Sequence, residues 1–237
     1  QPFFKQSNEA MLSSLVFALA LLGLVLVAAV FLFGRKAASP AAVVVGPCGG
    51  GKTLLFHRLV EGEAVDSVSS MEKNEGALED GAVVVDVPGH SRLRGGLPAE
   101  LARAKCLVFV FDASNAAAQA KPAAELLYAI LTTYVDAPAP PKILFLCNKT
   151  DKTAKTPQRV KLMMMDEIET LRKTANTVQI ADDAGAPAAT TAQRKLGVDG
   201  QFFKFDHHSP CPVDFQPFSA KKDPLDLVVN FIRNNSK

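Results

Sequence analysis

Gly46, Pro47, Cys48, Gly49, Gly50, Gly51, Lys52 and Thr53 match the spacing GxxxxGK[ST]. A loop of this kind, set between a strand and a helix, turns successive backbone N–H groups toward one point at the helix N-terminus, where an α- or β-phosphate is stabilised. Lys52 then reaches the β- and γ-phosphates, and the Thr53 hydroxyl is a hard oxygen ligand suited to Mg²⁺. The bland alternative is a glycine-rich turn with a chance lysine. The apolar run before the loop and the helical period after it favour the phosphate reading.

Two further groups stand at the ends of apolar runs. In Asp86, Val87, Pro88, Gly89 and His90 the aspartate can hold Mg²⁺ through water, and the Gly89 N–H can meet a γ-phosphate, so that losing that phosphate releases the loop. Alone this would read as a simple turn. In Asn148, Lys149, Thr150 and Asp151 the aspartate can accept from both N1–H and the 2-amino group of guanine, a charge-assisted pair that adenine cannot offer. Asn148 would brace the purine edge, and the Lys149 stem would cover the ring face. Without the upstream loop this tetrapeptide is also a common turn. Together they point to a guanine nucleotide, GTP or GDP, with Mg²⁺; an ATPase is the least favoured reading.

Such residues need a scaffold that brings strand ends together. Runs of strand character over 43–46, 82–87, 106–112, 142–148 and 213–219 alternate with helical periods over 52–61, 97–104, 120–134, 157–175 and 224–234. That alternation is the pattern of an α/β fold, a mostly parallel central sheet flanked by helices. Pro122, Pro157 and Pro224 suit first helical turns. Residues 176–200, rich in Ala, Asp, Thr and Gly without period, read as a flexible insertion.

The chain has 237 residues, enough for one domain and a short appendage. Its 26 basic and 24 acidic side chains leave a balance too small to suggest direct, specific nucleic-acid binding. Cys48, Cys106, Cys147 and Cys211 are widely spaced with no CxxC pair, as expected of reduced thiols. His207 and His208 lack further His or Cys at a structural zinc spacing, and the run 163–165 of methionines reads as core. Residues 10–33 are uncharged, a stretch of about 24 residues where about 20 cross a bilayer. With no polar face, this segment is expected to span as a single helix rather than lie in the interface, and its length argues against a signal peptide. Arg35 and Lys36 directly after it place the C-terminal domain on the cytosolic side. The expected organisation is 1–36 with one transmembrane helix, then a domain over 37–237.

Taken in order, these elements resemble the small GTPase superfamily from about residue 43 onward. Ser219, Ala220 and Lys221 are similar to its SAK element, whose alanine N–H contacts guanine O6. Within that superfamily the chain resembles the signal recognition particle receptor beta subunits, relatives of the Arf and Sar GTPases. One span precedes the domain; GPCGGGKTLLFHRL resembles that family's GxCxxGKTxLFxxL; DVPGH has histidine where most small GTPases have glutamine; and LGVDGQFFKF closes the insertion. The resemblance implies a single-pass protein of the endoplasmic reticulum membrane whose GTP-bound domain holds the N-terminal domain of the receptor alpha subunit. Lipid would be contacted through the helix, and the ribosome or translocon would be indirect partners.

Departures from the family remain. Ser69 or Ser70 stands where the switch I threonine is expected, and either hydroxyl can ligate Mg²⁺. The segment 71–80 is short and charged, so the hairpin between the switches looks reduced. His90 in place of glutamine could position water only in the right tautomer, and Cys48 adds a side chain where many GTPases have glycine. Slow intrinsic hydrolysis is expected. A GTP-locked scaffold that never cycles, or a membrane-tethered trafficking GTPase, are the competing readings.

Overall fold

The computed structural model describes residues 41–62, 72–90, 95–182 and 195–236, the side chains of 176–182 excepted. The apolar segment 10–33, Ser69 and Ser70 lie outside the described residues. Among those that are described, no helix is long and apolar enough to cross a membrane.

The element order is β1 (Ala41–Val45), α1 (Lys52–Val60), β2 (Asn74–Ala77), β3 (Val83–Asp86), α2 (Leu97–Arg103), β4 (Ala104–Asp112), α3 (Ala116–Thr133), β5 (Lys142–Asn148), α4 (Pro157–Asp182), α5 (Phe205–His208), β6 (Val213–Pro217) and α6 (Asp226–Asn235). The sheet runs β2-β3-β1-β4-β5-β6. Among the described strands only the β2–β3 pair is antiparallel; the others are parallel. A parallel sheet needs crossovers on its faces, and the central strands are correspondingly buried on both sides.

Successive side chains of a strand alternate between faces, so each strand feeds two cores. Val43, Val45, Val85, Leu107, Phe109 and Phe111 pack with Leu101, Leu127, Ile130, Val160, Met164 and Ile168 from α2, α3 and α4. Val44, Val84, Cys106, Val108 and Val110 pack on the other side with Leu55 and Phe56 of α1 and with Val228 and Ile232 of α6. Met164 is fully buried, with Met163 and Met165 packed alongside, as the methionine run suggested.

Several elements differ locally from the sequence reading. Asn74–Ala77 forms an edge strand in the segment expected to be reduced; its Asn-Glu-Gly-Ala composition has little β-propensity, and its pairing with β3 supplies the order. Helix α3 starts at Ala116, not 120, so Pro122 lies inside it. Asp112 initiates this earlier start by accepting from the N–H groups of Ser114 and Asn115 in the 3₁₀ turn Ala113–Asn115. Helix α4 continues to Asp182 rather than ending at 175, because no Gly or Pro interrupts it before Gly185. Helix α6 begins at Asp226, two residues after Pro224, whereas Pro157 does open α4.

The return from the insertion is pinned rather than loose. Arg172, only 6% exposed, donates to the carbonyls of Leu196 at 2.7 Å, Val198 at 2.7 Å and Gln201 at 3.0 Å, and pairs with Glu169 at 2.7 Å. Glu169 also accepts from the Phe203 N–H at 3.0 Å.

Candidate functional site

The C-terminal ends of β1, β3, β4 and β5 lie side by side and present Gly46, Asp86, Asp112 and Asn148 along one edge of the parallel sheet. Ligands of open α/β sheets bind beyond this edge, where loops and helix N-termini converge.

The 46–53 loop leaves β1 with Gly46 at φ 149° and enters α1 with Gly51 at φ 96°, both in the region that favours glycine. A Cβ on Gly46 would collide with the Val110 carbonyl oxygen, and one on Gly51 with the Asn148 amide. The loop is thus pressed against β4 and β5, so its glycines serve packing as well as turning. Lys52 is buried, and its Nζ donates to the Pro47 carbonyl at 2.9 Å, curling back over the loop it terminates.

On one side of the loop stand the hard oxygens. Thr53 Oγ1 donates to Asp86 Oδ2 at 2.9 Å, and Asn74 Nδ2 reaches the same oxygen at 3.4 Å. Asp86 Oδ1 is buried with no hydrogen-bond partner among the described residues. Burial pushes the Asp86 carboxyl up, against the Thr53 hydrogen bond and the nearby Lys52 charge. A hydroxyl beside a carboxylate with one unsatisfied buried oxygen fits a hard divalent cation such as Mg²⁺, directly or through water. Gly89 closes this side: a Cβ there would stand 2.6 Å from Lys52 Nζ and 2.8 Å from the Cys48 nitrogen.

On the other side, Asn148 bridges two loops. Its Nδ2 donates to the Gly50 carbonyl at 2.7 Å, and its Oδ1 accepts from the Ala220 N–H at 2.7 Å. Lys149, the sole non-glycine residue with positive φ (62°) among those described, donates to the Gly49 carbonyl at 2.8 Å and pairs with Asp112 at 2.6 Å. Burial would raise the Asp112 carboxyl, but the bonds from Lys149 and Ser114 outweigh it and hold it below the usual carboxylate range.

Asp151 lies next to Ser219, whose Oγ donates to Asp151 Oδ1 at 2.9 Å, with Lys222 Nζ at 3.5 Å from the other oxygen. The Ser219 bond, with Lys222 nearby, holds the Asp151 carboxyl below its ordinary value and so keeps it an acceptor. Thr150 ties this loop to the end of β6 by donating to the Phe218 carbonyl from both N–H (3.2 Å) and Oγ1 (3.0 Å). Arg58 of α1 reaches the Ala220 carbonyl at 2.7 Å. The structure therefore gathers Asn148, Lys149, Asp151, Ser219 and Ala220 beside the loop, while Lys221, in the turn that follows, and His90 are exposed. Among the described residues no group of three His, Cys, Asp or Glu side chains is placed to hold a metal.

The family model of the signal recognition particle receptor beta subunit matches residues 37–209 of this chain. The chain belongs to that family. It is 32% identical to the mouse signal recognition particle receptor subunit beta over 225 residues, covering 92% of this chain and 81% of the relative. Its fold is similar to a chain in the structure of the mammalian SRP receptor, with a TM-score of 0.68 and 29% identity over 82% of this chain and 98% of that one. It is similar in fold to the signal recognition particle receptor SRb–GDP–Mg from Chaetomium thermophilum, at a TM-score of 0.61 and 22% identity, covering 83% of this chain and 98% of that one. The α/β GTPase fold with its mostly parallel sheet is thereby shared with this receptor beta family.

Within this beta-subunit family fold, the sequence reading missed Asp112, Gln119, Asn74 and Arg58 as neighbours of the site. Asp112 was legible as a polar residue ending an apolar run, as Asp86 and Asn148 were. Gln119, Asn74 and Arg58 carry no local signal, since each reaches the site through tertiary folding from another element.

Proposed function

We propose that this chain is the GTP-binding subunit of a signal recognition particle receptor. It holds GTP or GDP with Mg²⁺ and, in the GTP-bound state, binds the N-terminal domain of the receptor alpha subunit. The observation that carries the reading is Asn148: one amide joins the Gly50 carbonyl of the phosphate loop to the Ala220 N–H of the base loop. A simple turn or cap would have no use for that link between Asn148 and a loop 72 residues away.

The roles follow from chemistry. Backbone N–H groups of residues 49–53 and the N-terminus of α1 stabilise phosphate charge, with Lys52 reaching the terminal phosphates. Thr53 and Asp86 would hold Mg²⁺, and Ser69 would join them from switch I; the bound ion neutralises phosphate charge and fixes phosphate orientation. Asp151 accepts from the guanine edge, Ser219 keeps it oriented, the Ala220 N–H, which donates to Asn148 Oδ1, would be shared with guanine O6, and Lys149 covers the ring face. Gly89 senses the γ-phosphate and His90 positions water. The segment 10–33 anchors the chain in the endoplasmic reticulum membrane as a single span, with the domain over 37–237 in the cytosol.

The test is nucleotide affinity of the full chain in detergent for GTP, GDP and ATP with Mg²⁺, repeated for Asp151→Asn. Guanine-specific binding that the substitution abolishes is expected. Equal binding of ATP, or no effect of the substitution, would overturn the base-site assignment. Capture of the receptor alpha subunit by the GTP-loaded but not the GDP-loaded chain tests the partner separately from the ligand. Cys48, where many GTPases have glycine, and His90, where most have glutamine, favour a second reading in which GTP is held without turnover. A hydrolysis rate of zero with and without the alpha subunit would support it over the cycling switch.

A further inference from the structure

The carbonyls of the phosphate loop are taken one after another by side chains. Lys52 Nζ holds Pro47 O at 2.9 Å, Gln119 Nε2 holds Cys48 O at 2.6 Å, Lys149 Nζ holds Gly49 O at 2.8 Å, and Asn148 Nδ2 holds Gly50 O at 2.7 Å. Three of these donors belong to the motifs that mark the site. Gln119 does not: it comes from the first turns of α3.

A planar trans peptide points its C=O and the following N–H in opposite directions. Fixing Cys48 O toward α3 therefore turns the Gly49 N–H to the opposite side of the loop, the side on which a phosphate would sit. Gly49 sits at φ 74°, so its own backbone does not select one orientation over its mirror region as a side-chain-bearing residue would. An outside donor has to supply the choice.

The amide of Gln119 is committed to that task. Its Nε2 must face the Cys48 carbonyl, since a flipped amide would set two oxygens together. The consequence is that Oε1 is buried with no partner among the described residues. Leaving a buried acceptor unsatisfied is unfavourable, and it is tolerated here in exchange for the loop contact. The end of β4 also reaches the neighbouring carbonyl indirectly, because Asp112 holds Lys149 at 2.6 Å.

We infer that Gln119 is a positioning residue of the nucleotide site: it orients the Cys48–Gly49 peptide toward the nucleotide's phosphates and ties phosphate binding to helix α3. The inference rests on the guanine-nucleotide reading above and assigns the phosphate side to a residue outside its motifs.

The experiment compares full chains in detergent carrying Gln119, Gln119→Ala or Gln119→Met, reading the release rates of GDP and of inosine diphosphate, which lacks the 2-amino group. Alanine has high helix propensity and keeps α3 intact; methionine fills the volume without a donor. Both variants are expected to release GDP about three- to tenfold faster, the worth of one hydrogen bond. Inosine diphosphate should be released faster by the same factor, and the melting temperature of the nucleotide-free chain should be unchanged. A merely structural role would lower that melting temperature. GDP release within twofold of wild type in both variants, or a changed preference between the two nucleotides, would overturn the inference. If the unsubstituted chain binds neither nucleotide, the functional reading has failed and takes the inference with it; if Asp151→Asn erases guanine preference while the Gln119 variants are silent, only the inference has failed.

Discussion

Lys149 Nζ lies 2.6 Å from Asp112 Oδ2, joining the residue after β5 to the last residue of β4 across the mouth of the site. The contact holds Lys149 in a left-handed backbone conformation, with φ 62°, that a lysine does not favour by itself. Strain of this kind persists where surrounding contacts over-determine it.

Asp112→Asn removes the charge from that contact and is expected to cost about 1–2 kcal/mol at neutral pH, with faster GDP release. The folded carboxyl is held below its ordinary value. Its contribution is therefore full above the unfolded value of about 3.9 and is lost as pH falls through the lower folded one. Urea denaturation of wild type and variant should differ at pH 7, and the difference should begin to shrink below about pH 4 and vanish only once pH has fallen past the depressed folded value. A difference undiminished at strong acid would show that the ion pair is not its source.

Thiol chemistry should single out the phosphate loop. Cys106, Cys147 and Cys211 are buried, and burial pushes each thiol up to about 12, so the reactive thiolate is scarce at neutral pH. Cys48 is exposed in the loop itself. Mass spectrometry after brief maleimide treatment of the native chain is expected to find one adduct, on Cys48, and GDP with Mg²⁺ should slow its formation. Rapid labelling of the other three would contradict their burial.

An ion-pair clasp joins the edge strand β2 to α2, the helix that comes after the DVPGH segment. Glu100 accepts from Lys73 at 2.9 Å and from Arg103 at 2.7 Å, and Arg103 also reaches Glu75 at 2.8 Å. The Glu100 side chain is 9% exposed, whereas Lys73 is 56% exposed. Burial opposes ionisation of Glu100, but its two cationic partners prevail and hold its carboxyl below the usual range. Glu100→Ala should cost about 1–3 kcal/mol because it removes the buried acceptor that Lys73 and Arg103 share and leaves Arg103 to Glu75 alone, and Lys73→Ala less than about 1 kcal/mol. Chemical denaturation of the two variants would reveal whether that ranking holds.

Arg172 staples the segment after the insertion through three backbone carbonyls and Glu169. Arg172→Ala is expected to lose about 3 kcal/mol, since it removes the donor to three backbone carbonyls and leaves Glu169 only the Phe203 N–H and the more distant Lys173. Limited proteolysis should then cut within 195–201, where the wild-type chain resists; resistance in the variant would mean that packing alone holds this segment.

GTP turnover by the purified chain should fall at or below the unassisted small-GTPase rate, on the order of 10⁻⁴ s⁻¹. Cys48 stands where many GTPases have glycine, so Cys48→Gly should raise the rate. Single-turnover hydrolysis of radiolabelled GTP measures both. A faster wild-type rate would remove the argument drawn from Cys48 and His90.

Local chemistry made much of this fold legible. The glycine loop, the runs ending in Asp86 and Asn148, and the apolar strands β1, β4 and β5 announce themselves because buried parallel strands must be continuous and apolar, and phosphate loops need glycine. Elements whose order comes from partners were silent. Strand β2 has weak propensity and is ordered by β3; the early start of α3 depends on Asp112; the pinned stretch after the insertion depends on Arg172, 24 residues before the first carbonyl it holds.

The sequence by itself determined the kind of chemistry: residue types and short spacings decide what a loop can bind, and the alternation of apolar runs decides that strand ends will meet. Tertiary structure alone decided which distant side chains support that chemistry. Gln119 on Cys48, Asp112 on Lys149 and Ser219 on Asp151 are contacts between elements. Hydrogen bonds of this kind depend on positions good to a fraction of an ångström, and such positions are set by packing of the whole domain rather than by any stretch of chain.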